Sequence, residues 1–240
     1  MSGEQQDFIE RMASDFNEAM FYPGPEDADA FQGGEDWQED RRGCFTASIF
    51  ANLNYVKDDF KSGPRKGQPR PSPKLRMDEI DRVVAEILTG KCKESISAKA
   101  LDYGREMEPE ALAAYEAHQG VLTELTGFIR HKDFAFAGAS PDFLVGDEGG
   151  GEIKCPMSIT VHATTLRTGL PPEHIEQIQG GLWVTGRTYW DFVSYNPHFP
   201  GDLALYVERV YRDEAVIARI EADVVEAWAE AQAIIARLSP

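Results

Sequence analysis

Three features are scarce in this chain of 240 residues: cysteine, long apolar runs and positive charge. The three cysteines are widely spaced and odd in number, with no CxxC pair. This usage indicates reduced thiols in a cytosol, gives no structural zinc site, and excludes an iron–sulfur centre that needs four cysteines. No run of about 18 uncharged apolar residues occurs, so we expect no membrane span. The polar, acidic first residues are not typical of a secretory signal, and we therefore expect a cytoplasmic protein.

Positive charge is scarce but unevenly distributed. The formal net charge is −17, and phosphate contacts need Lys and Arg, so the balance speaks against nucleic-acid binding at first. Residues 1–40 alone hold twelve acidic side chains and one basic one. Residues 57–76 hold seven basic side chains against two acidic ones, in a stretch rich in Pro, Gly and Ser. That basic stretch is either a solvated linker or a loop whose cations face DNA.

The length and the apolar fraction of 42% fit one domain over residues 1–240, with 1–36 as an acidic N-terminal extension. Apolar periodicity predicts helices; they lie near 48–55, 78–88, 97–118, 174–186 and 213–238. Alternating or continuous apolar runs predict strands; they lie near 121–130, 134–139, 152–154, 189–195 and 203–210. This order indicates an α/β fold, with a mixed central sheet flanked by helices.

The most informative segment is Ala-Ser-Pro-Asp at 139–142, followed by Gly-Glu-Ile-Lys-Cys-Pro at 151–156. The turn-rich residues 146–151 predict a hairpin connection between the two halves. Glu152 and Lys154 are two residues apart on a strand, so both face one side of the sheet, and the hairpin can bring Asp142 beside them. Two carboxylates can hold a divalent cation while the ammonium orients an attacking water. The alternative is a surface hairpin with a solvated Glu–Lys pair.

Three further segments bear on that choice. The helix predicted over 97–118 places Glu108 on or beside the face that packs on the sheet, where a carboxylate is costly unless paired or bound to metal. Residues 174–186, His-Ile-Glu-Gln-Ile-Gln-Gly-Gly-Leu-Trp-Val-Thr-Gly, predict a helix before a buried strand. Residues 37–48, from Trp-Gln-Glu-Asp-Arg-Arg to Thr-Ala-Ser, predict a basic, hydroxyl-rich turn that enters a helix.

Together and in this order, these segments resemble the phage lambda exonuclease family, also called the YqaJ-type viral recombinase nucleases. This family belongs to the PD-(D/E)xK superfamily, whose motif matches Asp142, Glu152 and Lys154. The resemblance runs from Trp37 to the C-terminal helix, and Glu-Ile-Lys-Cys-Pro is among its most specific parts. It implies a restriction-endonuclease-like core.

The resemblance also implies a set of catalytic residues, namely Glu108, Asp142, Glu152, Lys154 and Gln177. Two Mg²⁺ or Mn²⁺ ions per site are implied, and their ligands would be Asp142, Glu152, the Ile153 carbonyl and Glu108. Lys154 would position or activate the attacking water, and Gln177 would steady the phosphate or the water. His174 is interpreted as a polar contact and Gln179 as a packing residue.

Residues that would contact DNA follow from the same resemblance. Arg41, Thr46 and Ser48 match those that receive a terminal 5′-phosphate; the alternative is a capped helix with a surface arginine, and adjacent Arg42 leaves the choice of arginine open. Leu101 matches an apolar wedge that separates the first base pairs, although an ordinary core leucine would look the same. Arg65 is the nearest match for a residue that tracks the minor groove.

The implied activity is a Mg²⁺-dependent 5′→3′ exonuclease of double-stranded DNA ends, which releases mononucleotides and leaves a 3′ overhang. The family context implies a homotrimer, a single-strand annealing protein as partner and a bacterial or phage-infected cell. Two alternatives remain: an endonuclease of the same fold, and a catalytically silent acidic scaffold. The phosphate-binding pattern favours an end-directed enzyme, and the complete set of catalytic residues speaks against the scaffold.

Overall fold

The computed structural model describes residues 35–55, 62–64, 66, 72–92 and 99–239. Residues 1–34 of the predicted acidic extension (1–36) and Arg65 lie outside the described residues, and residues 35 and 36 begin the first helix. The helices are α1 Glu35–Arg41, α2 Phe50–Leu53, α3 Lys74–Thr89, α4 Lys99–Gln119, α5 Ile159–Thr168, α6 Ile175–Thr185 and α7 Glu214–Leu238. The strands are β1 Phe45–Thr46, β2 Ile129–Arg130, β3 Ala137–Ala139, β4 Phe143–Val145, β5 Gly149–Lys154, β6 Tyr189–Tyr195 and β7 Leu205–Tyr211. Short 3₁₀ turns occupy Ala47–Ile49, Pro172–His174 and Gly201–Ala204.

The strands form two sheets of mixed direction. The larger has the order β4-β5-β6-β7, in which only β5 and β6 run parallel, and the smaller has the order β1-β3-β2. A parallel pair needs a crossover connection, and α5 and α6 supply it between β5 and β6. Strand β5 is therefore enclosed by β4 and β6, and its residues are buried up to Ile153.

Three glycines let β5 pass between large aromatic side chains. A Cβ at Gly150 would collide with the Trp190 ring, and one at Gly151 would collide with the Phe143 ring. The prediction that residues 146–151 form the hairpin connection is thus only half right. The turn is formed at Gly146, where φ is +50°, whereas the last three glycines belong to the strand.

Helices cover both faces of the larger sheet. On one face, α4 packs Ala111 and Tyr115 against Phe143, Ile153 and Val193. On the other, α6 packs against β6 and α7, and buried residues of α3, α6 and α7 belong to the larger core. Burying one large apolar side chain contributes about 1.5–3 kcal/mol, so these two layers hold β5 rigidly between them.

Helices with regular apolar spacing were predicted well. The buried stripe of α7 includes Ile217, Ile220, Val224 and Ile235, as its spacing predicted. Helix α3 begins four residues earlier than predicted and ends at Gly90, where φ is +63°. Among the described residues, no helix combines the length and apolarity that a bilayer crossing requires.

Other predicted elements were wrong in extent. The strand expected over 121–130 is reduced to β2, because Leu122 and Leu125 are exposed and only Glu124 forms an isolated bridge, with Leu144. The helix expected over 48–55 is a 3₁₀ turn followed by α2. Strand β4 and helix α5 were not predicted.

Candidate active site

The β4–β5 hairpin places Asp142 against β5. The Asp142 amide donates a hydrogen bond to the Gly151 carbonyl at 3.1 Å, and the Ile153 amide donates to Asp142 Oδ2 at 2.6 Å. These two bonds fix both the backbone and the carboxylate of Asp142. The hairpin therefore brings Asp142 beside the Glu152 strand, as the sequence motif predicted.

Glu152 and Lys154 lie on the β5 face opposite Ile153, toward α6. Lys154 Nζ donates to Glu152 Oε1 at 2.5 Å, and Gln177 Nε2 of α6 donates to the same oxygen at 2.5 Å. The Glu152 side chain is 7% exposed and that of Lys154 is 34% exposed. One oxygen of Glu152 thus accepts hydrogen bonds from both the Lys154 ammonium and the Gln177 amide.

The site carries more negative charge than its own cation neutralises. Burial, then the carboxylates of Glu152 and Glu108, raise the pKa of Asp142 well above its usual value. Burial, then Glu152, raise the pKa of Glu108. Burial alone would lower the pKa of Lys154, but Glu152, Asp142 and Glu108 raise it overall, so this side chain stays an ammonium. Three carboxylates against one ammonium leave an excess that suits a divalent cation.

The donor set fits a hard cation held by few ligands. Oxygen donors are those that Mg²⁺ and Mn²⁺ prefer. Within the described part of the chain, no three His, Cys, Asp or Glu side chains are grouped to chelate one ion. The residues that would hold an ion near β5 are therefore Asp142, Glu152 and the Ile153 carbonyl, and water would supply the remaining ligands. Glu108 does not line the cavity described next.

A cavity of about 160 Å³ joins this carboxylate cluster to the predicted phosphate-binding residues. Its lining includes Trp37, Arg41, Thr46, Ser48, Ser140, Asp142, Glu152, Gln177, Gly181 and Trp190. The Arg41 guanidinium lies 4.0 Å from the centroid of the Trp37 ring and 3.5 Å from Thr46 Oγ1. The hydroxyls of Thr46 and Ser48 are 3.1 Å apart. Arg41 and two hydroxyls thus lie together in the lining of the cavity.

The structure also separates Arg41 from Arg42. Arg42 pairs with Glu39 and donates to the Gly90 carbonyl at 3.3 Å. It is not among the residues that line the cavity. The sequence left the choice between Arg41 and Arg42 open, and of the two it is Arg41 that lines the cavity.

Several lining residues were not predicted from the sequence, and two of them, Trp37 and Ser140, contact each other. Trp37 Nε1 donates to Ser140 Oγ at 3.0 Å, which closes the wall between α1 and the loop before β4. Trp37 precedes Arg41 by four residues on a helix, a spacing that puts both on one face. Ser140 stands two residues before Asp142. Both signals were present in the sequence.

A buried network fastens α4 to the sheet. The Tyr115 hydroxyl donates to Asp191 Oδ2 at 2.7 Å, and Arg209 donates to both oxygens of Asp191 at 2.8 and 2.7 Å. Asp191 is fully buried and pairs in register with Gly151 of β5. Because Tyr115 follows Glu108 by about two helical turns, this network sets the position of the helix that carries Glu108.

The other residues singled out in the sequence are His174, Gln179 and Leu101. The His174 ring stacks on Phe192 with a centroid distance of 5.3 Å, and burial, then Lys154, lower its pKa. Buried Gln179 donates to the Tyr211 carbonyl at 2.8 Å and accepts from the Asp213 amide at 2.9 Å. Leu101 lies in the first turn of α4, and its side chain is outside the described part.

Comparison with known proteins places this site in a family. Residues 36–188 match the YqaJ-like viral recombinase domain. The chain belongs to this family. The match spans the cavity-lining residues except Trp190, and it includes β5 with its Glu152 and Lys154. The predicted family is thereby confirmed.

Solved structures confirm the predicted α/β fold with mixed sheets flanked by helices. The alkaline exonuclease LHK-Exo from Laribacter hongkongensis has a TM-score of 0.73 and 36% identity, over 85% of this chain and 96% of that chain. Its complex with dAMP has a TM-score of 0.74 and 37% identity over the same shares. A phage related exonuclease from Haemophilus somnus 129PT shares the fold, with a TM-score of 0.61 and 15% identity over 82% and 96% of the two chains. No curated protein gives a significant match. The chain thus has an alkaline exonuclease-like nuclease fold.

Proposed function

We propose that this YqaJ-family protein is a Mg²⁺- or Mn²⁺-dependent exonuclease that degrades double-stranded DNA from a 5′-phosphorylated end in the 5′→3′ direction. The observation that carries the proposal is the shared cavity. Its lining brings Arg41 and the hydroxyls of Thr46 and Ser48 together with Asp142 and Glu152. A guanidinium with hydroxyl donors suits a dianionic phosphate, whereas the carboxylates suit a metal.

This arrangement accounts for an end-directed reaction. A strand whose terminal 5′-phosphate sits at Arg41 would present its first internal phosphodiester toward Glu152 and Lys154. Cleavage there would release a mononucleotide and leave a new 5′-phosphate on the shortened strand, so the cycle can repeat. The related alkaline exonuclease was crystallised with dAMP, which agrees with a mononucleotide product.

The protein side chains divide the chemistry between them. When bound, the divalent cations would polarise the phosphate and lower the pKa of a bound water. Asp142, Glu152 and the Ile153 carbonyl would hold the first, and Glu108 would assist at a second. Lys154 stays protonated beside its carboxylates, so it orients the water and neutralises charge on the phosphate instead of removing a proton. Gln177 fixes one Glu152 oxygen and leaves the other for the metal.

The family also suggests an assembly and partners. We propose a homotrimer on double-stranded DNA, one nuclease domain over 1–240 in each subunit, and a single-strand annealing protein that takes up the 3′ overhang. The proposed location is the cytoplasm of a bacterial or phage-infected cell. Family membership is the support for these statements.

The deciding experiment compares linear duplexes with 5′-phosphate or 5′-hydroxyl ends and a closed circle, each with Mg²⁺. Wild type, Lys154→Ala and a control, Lys132→Ala, are assayed together, because Lys132 is a highly exposed lysine outside the cavity. We expect mononucleotides from the phosphorylated linear duplex, an intact circle, an inactive Lys154→Ala and an active control. A cut circle would support the endonuclease alternative, and an absence of Lys154-dependent cleavage would support the silent scaffold.

A further inference from the structure

Helix α3 holds the turn that connects Arg41 to Thr46, two of the residues proposed to bind the phosphate. This turn, residues 42–44, lies between Arg41 of α1 and Thr46 of β1. Its Gly43 amide donates to Glu86 Oε2 at 2.9 Å. Arg82 donates to the same Glu86 oxygen at 2.8 Å and to the Cys44 carbonyl at 2.9 Å. Two α3 side chains therefore hold two consecutive residues of the turn.

Glu86 is buried, Arg82 is half-buried, and both lie outside the cavity. Glu86 is 6% exposed, the Arg82 side chain is 17% exposed, and neither lines the cavity. A buried carboxylate is costly unless it is paired and hydrogen-bonded, and here it has both the guanidinium and a backbone amide. Gly43 has φ of +71°, a left-handed conformation that favours glycine, so the turn has one tight shape. The pair fixes that shape without touching a ligand.

The charges of the pair also reach Arg41. Burial, then the charge of Arg82, lower the pKa of Arg41, whereas Glu86 raises it. Two guanidiniums are thus held close enough to repel each other, with Glu86 partly offsetting the repulsion. An anion at Arg41 would relieve the same repulsion, so the surroundings of the turn favour an anionic occupant.

We propose that Glu86 and Arg82 are positioning residues for the terminal 5′-phosphate, acting through the 42–44 turn on Arg41 and Thr46. This inference rests on the proposed function, in which those two residues receive the phosphate. Loss of the pair should weaken the preference for phosphorylated ends while leaving the cleavage chemistry at Asp142 and Glu152 intact.

The test measures kcat and KM on matched duplexes with 5′-phosphate and 5′-hydroxyl ends. The variants are Glu86→Ala, which removes both contacts, and Glu86→Gln, which keeps an acceptor for the Gly43 amide but not the charge. The matched control is Glu79→Gln: Glu79 also accepts from Arg82, at 3.0 Å, and among the contacts of the described residues none joins Glu79 to the turn. The 5′-hydroxyl duplex reports the chemistry in every variant.

We expect Glu86→Ala to lower the phosphate-to-hydroxyl ratio of kcat/KM about tenfold, because a charged, buried hydrogen-bond set is lost. The loss should lie in KM for the phosphorylated duplex, with kcat on the hydroxyl duplex retained. Glu86→Gln should lower the ratio by about threefold, and Glu79→Gln should leave it within about twofold. If Glu86→Ala does not fold, Glu86→Gln decides.

Three results would overturn the inference. Unchanged kinetic constants on both duplexes in a folded Glu86 variant would mean that the pair does not position the phosphate site. An equal loss on both duplexes would mean that it only supports the fold. If wild type itself ignores the 5′-phosphate, the proposed phosphate site fails and this inference fails with it. A wild-type preference that survives in the variants overturns the inference alone.

Discussion

Buried acidic groups on the neighbouring strands β5 and β6 have opposite surroundings. Asp191 of β6 is neutralised within the chain, because Arg209 donates to both of its oxygens and Tyr115 donates to one. Asp142 and Glu152 beside β5 share one ammonium, and burial with mutual repulsion raises the pKa of Asp142. Asp191 is thus a structural anchor, whereas the surroundings of Asp142 and Glu152 suit the cation-binding role proposed for them. Surplus charge distinguishes the two uses.

The largest expected effect is on catalysis. Asp142→Asn should lower kcat on a phosphorylated linear duplex by at least about 10²-fold, because losing one group aligned with the reacting phosphate typically costs that much. Without metal the variant should be at least as stable as wild type, since it removes repulsion with Glu152 and Glu108. Nucleotide release and thermal unfolding in EDTA measure the two quantities. Normal activity of the variant, or clear destabilisation in EDTA, would contradict the proposed difference between Asp142 and Asp191.

Asp191→Asn should show the reverse pattern. Removing a buried partner of Arg209 should lower the free energy of unfolding by about 2 kcal/mol, less than for a fully buried pair, because the Arg209 side chain is 40% exposed and can be solvated. Activity measured well below the unfolding temperature should fall much less than in Asp142→Asn. Urea unfolding followed by fluorescence gives the stability. Equal losses of activity in the two variants would show that Asp191 belongs to the catalytic site.

A divalent cation should stabilise the fold only when the excess negative charge at Asp142 and Glu152 is present. At about 100 times its Kd, Mg²⁺ or Mn²⁺ should add about 2.7 kcal/mol to the stability of wild type, which is about 5–10 °C in Tm for a chain of this size. The increase over EDTA should vanish in Asp142→Asn and persist in Asp191→Asn. A comparable increase in Asp142→Asn would place the ion elsewhere.

The smallest effect concerns a buried histidine, His131, whose pKa is influenced by none of these three carboxylates. His131 is 7% exposed, packs with its ring tilted against Trp183, and accepts a hydrogen bond from the Asp133 amide on Nδ1 at 3.1 Å. Burial lowers the pKa of His131, so the unfolded chain binds this proton more readily than the folded one. Stability should therefore be complete above about pH 6.5, the unperturbed value, and fall as the pH is lowered from there. His131→Phe should flatten the Tm profile between pH 7 and 5, and an unaltered profile would contradict this assignment.

The sequence predicted those elements whose pattern is local. Strand β6 coincides with its prediction at Tyr189–Tyr195, and α7 begins within one residue of it. The strand over 121–130 failed because Leu122 and Leu125, although apolar, are exposed. Helix α5 escaped prediction because Ile159 and Val161 at its start are exposed while His162 is buried, which breaks an apolar stripe. Burial is decided by tertiary contacts, which apolarity alone does not give.

The candidate site also has features that the local sequence predicts and features that only tertiary contacts determine. The two-residue spacing of Glu152 and Lys154, and the hairpin to Asp142, were predictable because they depend on neighbouring residues. The shared wall of Trp37 and Ser140 joins residues 103 apart in sequence, and the fastening by Glu86 joins residues 43 apart. Such contacts depend on how the whole chain packs. The sequence pattern therefore indicated the catalytic residues but not the contacts that hold the site in place.

The most direct test of the central claim uses a linear duplex with one 5′-phosphorylated end and the other 5′ end blocked, with the two strands labelled differently. Products of wild type and of Arg41→Gln are separated and identified over time with Mg²⁺ present. The account predicts 5′-mononucleotides from the phosphorylated strand alone and a much slower start in Arg41→Gln. Release from the 3′ end, oligonucleotide products, or an Arg41→Gln variant that starts as fast as wild type would contradict it.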